Sequence, residues 1–131
     1  MSKKATERSG TSAYSLSQQN GESPRQTEAR ALTNCANRLR KAQEDKGNFD
    51  EYIDAIRHNQ QLWTLFQSTI TETTNQLPVD LKITLLNLSK FVDKVSLRAS
   101  AEYNPDLLTS LIEINRQIAA GLSTSPEEAH A

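Results

Sequence analysis

Apolar side chains recur every three or four residues along four stretches of this sequence, which is the period of one face of an α-helix. The first stretch opens at Ser23, whose hydroxyl is suited to cap a helix, with Pro24 next and Gln26 three residues on. The stretch is interrupted at Gly47. Its repeating face consists of Glu28, Leu32, Cys35, Leu39 and Ala42. This pattern predicts a moderately amphipathic first helix.

The second stretch carries the largest side chains of the chain. It is expected to begin near Asp50, a residue type favoured at helix caps, and to end at the threonine-rich segment 71–74. Its apolar face consists of Tyr52, Ile53, Ile56, Leu62, Trp63, Phe66 and Ile70. Trp63 is interpreted as a core anchor rather than a binding hot spot, because aromatic side chains commonly fill bundle cores. Its indole N–H then needs a hydrogen-bond partner inside the protein.

Two further helices are predicted after prolines. Pro78 starts the third, whose stripe is widened by Leu86 and Phe91, and we expect this helix to be the most buried. Its stripe consists of Leu81, Leu85, Leu88, Val92 and Val95. The fourth is expected to use Asn104 as cap and to end at Gly121. It starts at Pro105 and carries Leu107, Leu108, Leu111, Ile112, Ile114 and Ile118.

Short loops between four such helices favour antiparallel neighbours, so the predicted fold is all-α, a small bundle of four main helices. Residues 13–122 are expected to form one helical domain, in which "AYSLSQQ" from Ala13 adds a short helix or an extended arm. Residues 1–12 and 123–131 are polar and are predicted to be flexible tails. The core is expected to include Leu81, Leu85, Leu88, Val92, Leu111, Ile112 and Ile118.

Composition narrows the range of partners. Among 131 residues, 15 Lys and Arg balance 16 Asp and Glu, so the net charge of -1 provides no general attraction to nucleic acid or membrane. Cys35 is the single cysteine and cannot form an internal disulfide, which favours a reducing compartment. The start of the sequence lacks the apolar stretch of a signal peptide, and no run of 18 apolar residues occurs. A cytoplasmic protein without membrane insertion is therefore expected.

Catalytic signatures are missing from the sequence. Its 4 glycines form neither a phosphate-binding loop nor a nucleophile elbow. His58 has no metal-ligating residue four positions on, and Cys35 lies on an apolar stripe without a neighbouring histidine base. We therefore expect no enzyme activity, no cofactor and no metal. Acids interleave with a basic cluster that also lacks an aromatic stacking surface, which favours a solvated helix face over nucleic-acid binding. The basic residues are Arg38, Arg40, Lys41 and Lys46, and the acids are Glu44 and Asp45.

Five segments taken together are similar to the FlaF family of bacterial flagellar biosynthesis regulators, in the same order and at similar spacing. They are "AYSLSQQ" from Ala13, "SPRQTEARAL" from Ser23, "HNQQLW" from His58, "LPVDLKITLLNLSKFV" from Leu77 and "INRQIAAGL" from Ile114. The resemblance covers residues 13–122. It implies an all-helical cytoplasmic protein that binds flagellin as an export chaperone, promotes flagellin synthesis and secretion, and is coupled to a FlbT-type regulator of flagellin mRNA.

Two other functions remain open at this point. The chain could act as a direct RNA-binding post-transcriptional regulator of flagellin mRNA, which calls for a basic face or an aromatic platform. It could also be a structural component of the flagellar base, which calls for self-association or a membrane-facing patch. The mixed charge of the predicted surface favours binding to a protein.

Candidate partner-binding residues come from the resemblance and from the arm. Tyr14 and Leu16 are isolated apolar residues between polar segments, so we expect them to pack on a groove of the bundle or on a partner. The similar segments supply the other candidates, which are Pro24, Arg25, Glu28, Asn59, Trp63, Asn115 and Arg116. Segment 113–116 is interpreted either as an exposed edge or as part of an interface.

The arm generates a first test. Removing residues 1–12 should leave the affinity for flagellin nearly unchanged, because that segment has few apolar side chains to bury. Removing residues 1–16 also deletes Tyr14 and Leu16 and should change the affinity, upward if the arm competes for the groove and downward if it contacts flagellin. Calorimetric titration of both truncated proteins measures the contrast, and identical affinities would exclude a role for the arm.

Overall fold

A computed structural model describes residues 23–124, which fold as four α-helices and one short 3-10 helix. The elements are α1 Pro24–Glu44, α2 Phe49–Ile70, α3 Val79–Ala101, the 3-10 helix Pro105–Leu107 and α4 Leu108–Ser123. The predicted all-α bundle of four main helices is confirmed. The predicted arm with Tyr14 and Leu16 lies outside the described residues, as do residues 1–12 and 125–131.

The start of α1 follows the sequence signal closely. The Ser23 hydroxyl accepts a hydrogen bond from the Gln26 amide at 3.1 Å, and the Gln26 side chain accepts one from the Ser23 amide at 2.9 Å. This reciprocal pair satisfies two backbone donors that a helix start leaves without partners. After α1, Gly47 has a φ of 89°, in the left-handed region that glycine adopts at little cost, and the chain turns there into α2.

Three helix boundaries differ from the predictions. Asn48, rather than Asp50, caps α2, because its side-chain oxygen accepts a hydrogen bond from the Glu51 amide at 3.2 Å. The Asn104 side chain makes no cap hydrogen bond, since a 3-10 turn of Pro105–Leu107 precedes α4. Gly121 lies inside α4, which continues to Ser123.

All four helices contribute buried side chains to one core, and α3 supplies Leu85, Val92 and Ala99 to it where it packs on α2. The most extensive helix pair is α1 with α4, and α2 packs on the side of α1. Leu32, Leu39 and Leu111 are completely buried in this core. Cys35 is buried as well, and this burial raises the pKa of its thiol to about 11, so the side chain is an uncharged apolar group of the interior.

Tyrosines hold one end of the bundle together. The Tyr52 hydroxyl donates a hydrogen bond to the Ala99 carbonyl at 2.7 Å and accepts one from the Asn104 amide at 3.1 Å. The Tyr103 hydroxyl accepts a hydrogen bond from the Gly47 amide at 2.6 Å, and the Tyr52 and Tyr103 rings meet edge to face. The α1–α2 and α3–α4 connections are therefore fixed side by side.

The expectation that the third predicted helix is the most buried is wrong. α3 contacts mainly α2, so its opposite side faces solvent. Leu81 and Leu88, expected in the core, are only partly buried, as is Ile118 of α4. Ser89 and Ser96 are buried on the inner side of α3 instead. They are buried beside Leu85, Val92 and Val95, while several other large apolar side chains of α3 remain exposed.

This arrangement predicts unequal costs for two leucine truncations. Leu39→Ala should lower the free energy of unfolding by about 2 to 5 kcal/mol, because the completely buried side chain leaves a cavity. Leu88→Ala, on the partly buried flank of α3, should cost less than half as much. Urea denaturation followed by far-UV circular dichroism measures both, and equal losses would contradict the placement of α3 described here.

Candidate functional site

A chain of hydrogen bonds between side chains runs through the bundle core. The Trp63 indole N–H donates to the Asn115 side-chain oxygen at 3.0 Å. The Asn115 amide group donates to the Asn59 side-chain oxygen at 2.7 Å and, more weakly, to the Leu32 carbonyl at 3.4 Å. Trp63, Asn59 and Asn115 are all 0% exposed. Trp63 is therefore the predicted core anchor, and Asn115 is the partner of its N–H group.

The positions of these residues along their helices bring the three side chains together. Asn59 and Trp63 are four residues apart on α2 and so project from the same side of that helix. Asn115 reaches them from α4 and also contacts the backbone of α1 at Leu32. A buried amide is costly unless it is hydrogen-bonded, so the three side chains stabilise one another only in this register. The Asn59 amide nitrogen has no hydrogen-bond partner within residues 23–124.

A buried ion pair occupies the start of α1. Arg25 and Glu28 are 7% and 4% exposed, and the Arg25 guanidinium donates to the Glu28 carboxylate at 2.7 Å. Glu28 also lines a small cleft at the end of the bundle together with apolar side chains, which are Phe66, Ile70, Leu77, Leu85 and Leu122. A charged pair in such apolar surroundings is strongly interdependent, because removing one member leaves a buried charge.

The candidate partner-binding residues thus fall into three groups. Five lie in the interior of the bundle, and these are Arg25, Glu28, Asn59, Trp63 and Asn115. Pro24 and Arg116 are exposed, whereas Tyr14 and Leu16 lie outside the described residues. Each of the five interior side chains has a structural partner within the chain, so the unbound fold offers none of them as a contact surface. Segment 113–116 has both characters, with Asn115 inside and its two ends exposed.

Sequence reasoning missed the most exposed apolar surface, which lies on α3. Val79, Ile83, Phe91 and Leu97 are 69%, 52%, 45% and 66% exposed. Together with the bases Lys90, Lys94 and Arg98, these residues define what we call the outer α3 face. Single exposed apolar residues are normal on protein surfaces, but four on one helix form a patch of the kind found at interaction sites. The signal in the sequence was that apolar residues of α3 occur on more than one side of the helix, since Val79, Ile83 and Leu97 lie outside the predicted stripe.

The basic side chains of the outer α3 face form no ion pairs within the described residues. Lys90, Lys94 and Arg98 follow one another at four-residue steps, and none of them forms an ion pair with an acid in the described part of the chain. The basic cluster noted in the sequence differs, since Arg38 pairs with Glu51 at 3.4 Å and Arg40 with Glu44 at 3.3 Å. The interpretation of that cluster as a solvated helix face fits these pairs.

The described residues show neither a metal-binding cluster nor a membrane-spanning helix. Residues 23–124 hold no group of three His, Cys, Asp or Glu side chains that could bind a metal ion. His58 is exposed, and Cys35 is buried and uncharged. Across these residues, every helix is too short or too polar to cross a membrane. The absence of enzyme activity stays a prediction from the sequence.

The fold and the outer α3 face define the class of this protein, which is a small all-α bundle with one exposed surface that is both apolar and basic. The chain belongs to the FlaF family, because the family model described as "Flagellar protein FlaF" matches residues 10–122. The resemblance seen in the five sequence segments is thereby confirmed, and the chain is a flagellar protein. Neither the curated proteins nor the solved structures contain a match to it.

The core network generates a stability prediction. Asn115→Leu should lower the free energy of unfolding by about 1 to 3 kcal/mol, because the Trp63 N–H and the Asn59 oxygen lose their partner while buried. Gln117→Ala, an exposed change on the same helix, is the matched control and should stay within about 0.5 kcal/mol. Since Trp63 is the only tryptophan, its fluorescence during denaturation reports on this site directly. An Asn115→Leu variant with an unchanged free energy of unfolding would refute the structural role of the network.

Proposed function

We propose that this FlaF-family chain is a cytoplasmic flagellin-binding export chaperone, which promotes flagellin synthesis and secretion together with a FlbT-type regulator. The family membership supports a flagellar role. In this proposal the chain works by binding and not by catalysis, and its effect on flagellin synthesis passes through the regulator of the mRNA.

The observation that carries the proposal is the outer α3 face. Its apolar side chains remain in water although the rest of the bundle has buried a complete core. Exposure of apolar surface is unfavourable, and an amphipathic helix laid along the patch would remove that surface from water. A subunit built to assemble through helices has such segments, and covering one of them would keep the subunit unassembled before export.

One observation favours the alternative of direct RNA binding. Lys90, Lys94 and Arg98 form an unpaired basic ridge beside Phe91, an arrangement that could contact phosphates and stack on one base. The aliphatic residues Val79, Ile83 and Leu97 offer neither a charge nor a stacking surface, and they account for most of the exposed apolar patch. Binding to a protein helix therefore explains more of this surface than binding to RNA.

Salt dependence separates the two functions. The full chain should bind monomeric flagellin in a one-to-one complex whose affinity changes less than about fivefold between 0.1 and 0.5 M salt, because apolar contacts dominate. If single-stranded RNA is bound through the three basic side chains, the affinity for it should fall about thirtyfold over the same range of salt concentration. Calorimetry with flagellin and with the flagellin mRNA leader tests both. Tight RNA binding without flagellin binding would replace the proposed function by the alternative.

A further inference from the structure

We propose that the outer α3 face binds a single amphipathic helix whose apolar stripe is bordered by acidic side chains, and that this helix runs antiparallel to α3. The inference rests on the proposed function only for the identity of the partner, flagellin. The docking surface and the chemistry of the bound helix follow from the arrangement of residues along α3.

The apolar residues of this face are in line. Ile83 lies one helical turn after Val79, and Leu97 lies 18 residues after Val79, so that about five complete turns return it to the same side. The line is about 27 Å long, which matches a partner helix of about 18 residues. The opposite side of α3 is buried on the bundle, and none of the other described elements covers the outer side.

The bases lie on the same side of α3. By helical spacing, Lys94 and Arg98 project between the line of Val79, Ile83 and Leu97 and the side chain of Phe91. Like charges four residues apart destabilise a helix, and these bases have no acidic partner in the described residues. Acidic side chains from a bound helix would provide the missing partners, while the lysine stems cover apolar surface.

Charge argues against a second copy of the chain as the occupant. α3 holds two acids, of which Asp80 is exposed and Asp93 is partly buried. In an antiparallel pair of outer α3 faces, the single exposed acid of each copy, Asp80, would face Lys94 and Arg98 of the other, so most of the basic side chains would still lack an acidic partner. A partner helix with several acidic side chains is therefore more complementary to this face than a second copy of the chain is.

The position of the bases along α3 sets the direction of the partner. Lys94 and Arg98 lie toward the C-terminal end of α3. Acidic residues are most favourable in the first turns of a helix, where they meet the positive end of the helix dipole. An antiparallel partner brings its N-terminal acids next to these two bases. This orientation also sets the dipoles of the two helices in opposite directions.

The test uses the full chain and monomeric flagellin. Ile83→Ser with Leu97→Ser should weaken binding at least tenfold at all salt concentrations, since these changes remove apolar contacts. Lys94→Glu with Arg98→Glu should weaken it at least tenfold in 0.1 M salt and about threefold or less in 0.5 M salt, where charge effects are screened. Lys41→Glu with Arg57→Glu makes the same charge change on α1 and α2 and should stay within twofold of the unchanged protein. Circular dichroism and melting curves verify that each variant is folded.

Cross-linking tests the direction of the bound helix. Gln76→Cys and Ala101→Cys place a thiol at either end of α3 on exposed positions, while native Cys35 is buried and uncharged at neutral pH. A photo-reactive maleimide on position 101 should attach nearer the N-terminus of the bound flagellin helix than one on position 76. The reverse order would overturn the antiparallel orientation.

Two outcomes separate this inference from the proposed function. If the unchanged protein binds flagellin and both α3 variants bind equally well, the outer α3 face is not the docking site and the chaperone function stands. If the unchanged protein does not bind flagellin, the proposed function fails and the inference fails with it. Binding of flagellin mRNA or of anionic lipid vesicles that is lost in the α3 variants, without flagellin binding, would likewise overturn a protein helix as the occupant.

Discussion

The arrangement of this bundle depends on the hydrogen bonds of the Asn115 side chain. One amide accepts from the Trp63 indole and donates to Asn59 and to the Leu32 carbonyl, so it connects α4 to α2 and α1 at a single buried point. A shift of any of these helices by one residue would leave several buried polar groups without partners. Apolar packing could accept several registers, and this network selects one of them.

α3 does not take part in that network, and its surface reflects this. It is attached to α2 by apolar packing and by the Tyr52 hydroxyl, which donates to the Ala99 carbonyl near its C-terminal end. On its inner side, Ser89 and Ser96 are buried together with the larger side chains of Leu85, Val92 and Val95. The remaining apolar residues are then available on the outside. One side of α3 therefore contributes to the common core, while its other side remains exposed to solvent.

The sequence was sufficient for the number of helices and for most of their positions, because periodicity, Ser23 and the prolines are local signals. It was not sufficient for the caps of α2 and α4, where neighbouring side chains compete and only the folded backbone decides between Asn48 and Asp50. The partner of Trp63 lies 52 residues away in sequence, beyond any local pattern. The position of α3 was misjudged for a related reason, since apolar residues lie on more than one side of this helix and their spacing does not reveal which side is buried.

The segments that carry the family resemblance combine two kinds of residue. Arg25, Asn59, Trp63 and Asn115 lie inside the bundle, and the last three connect α2 to α4, so their presence identifies the fold before it identifies a partner. The segment from Leu77 to Val92 differs, because it supplies Leu85 and Val92 to the core while Ile83, Lys90 and Phe91 remain outside. A single helix can meet both demands since residues on opposite sides are independent in their contacts. Under the proposed function, this helix is the part of the chain in which folding and partner recognition are encoded side by side.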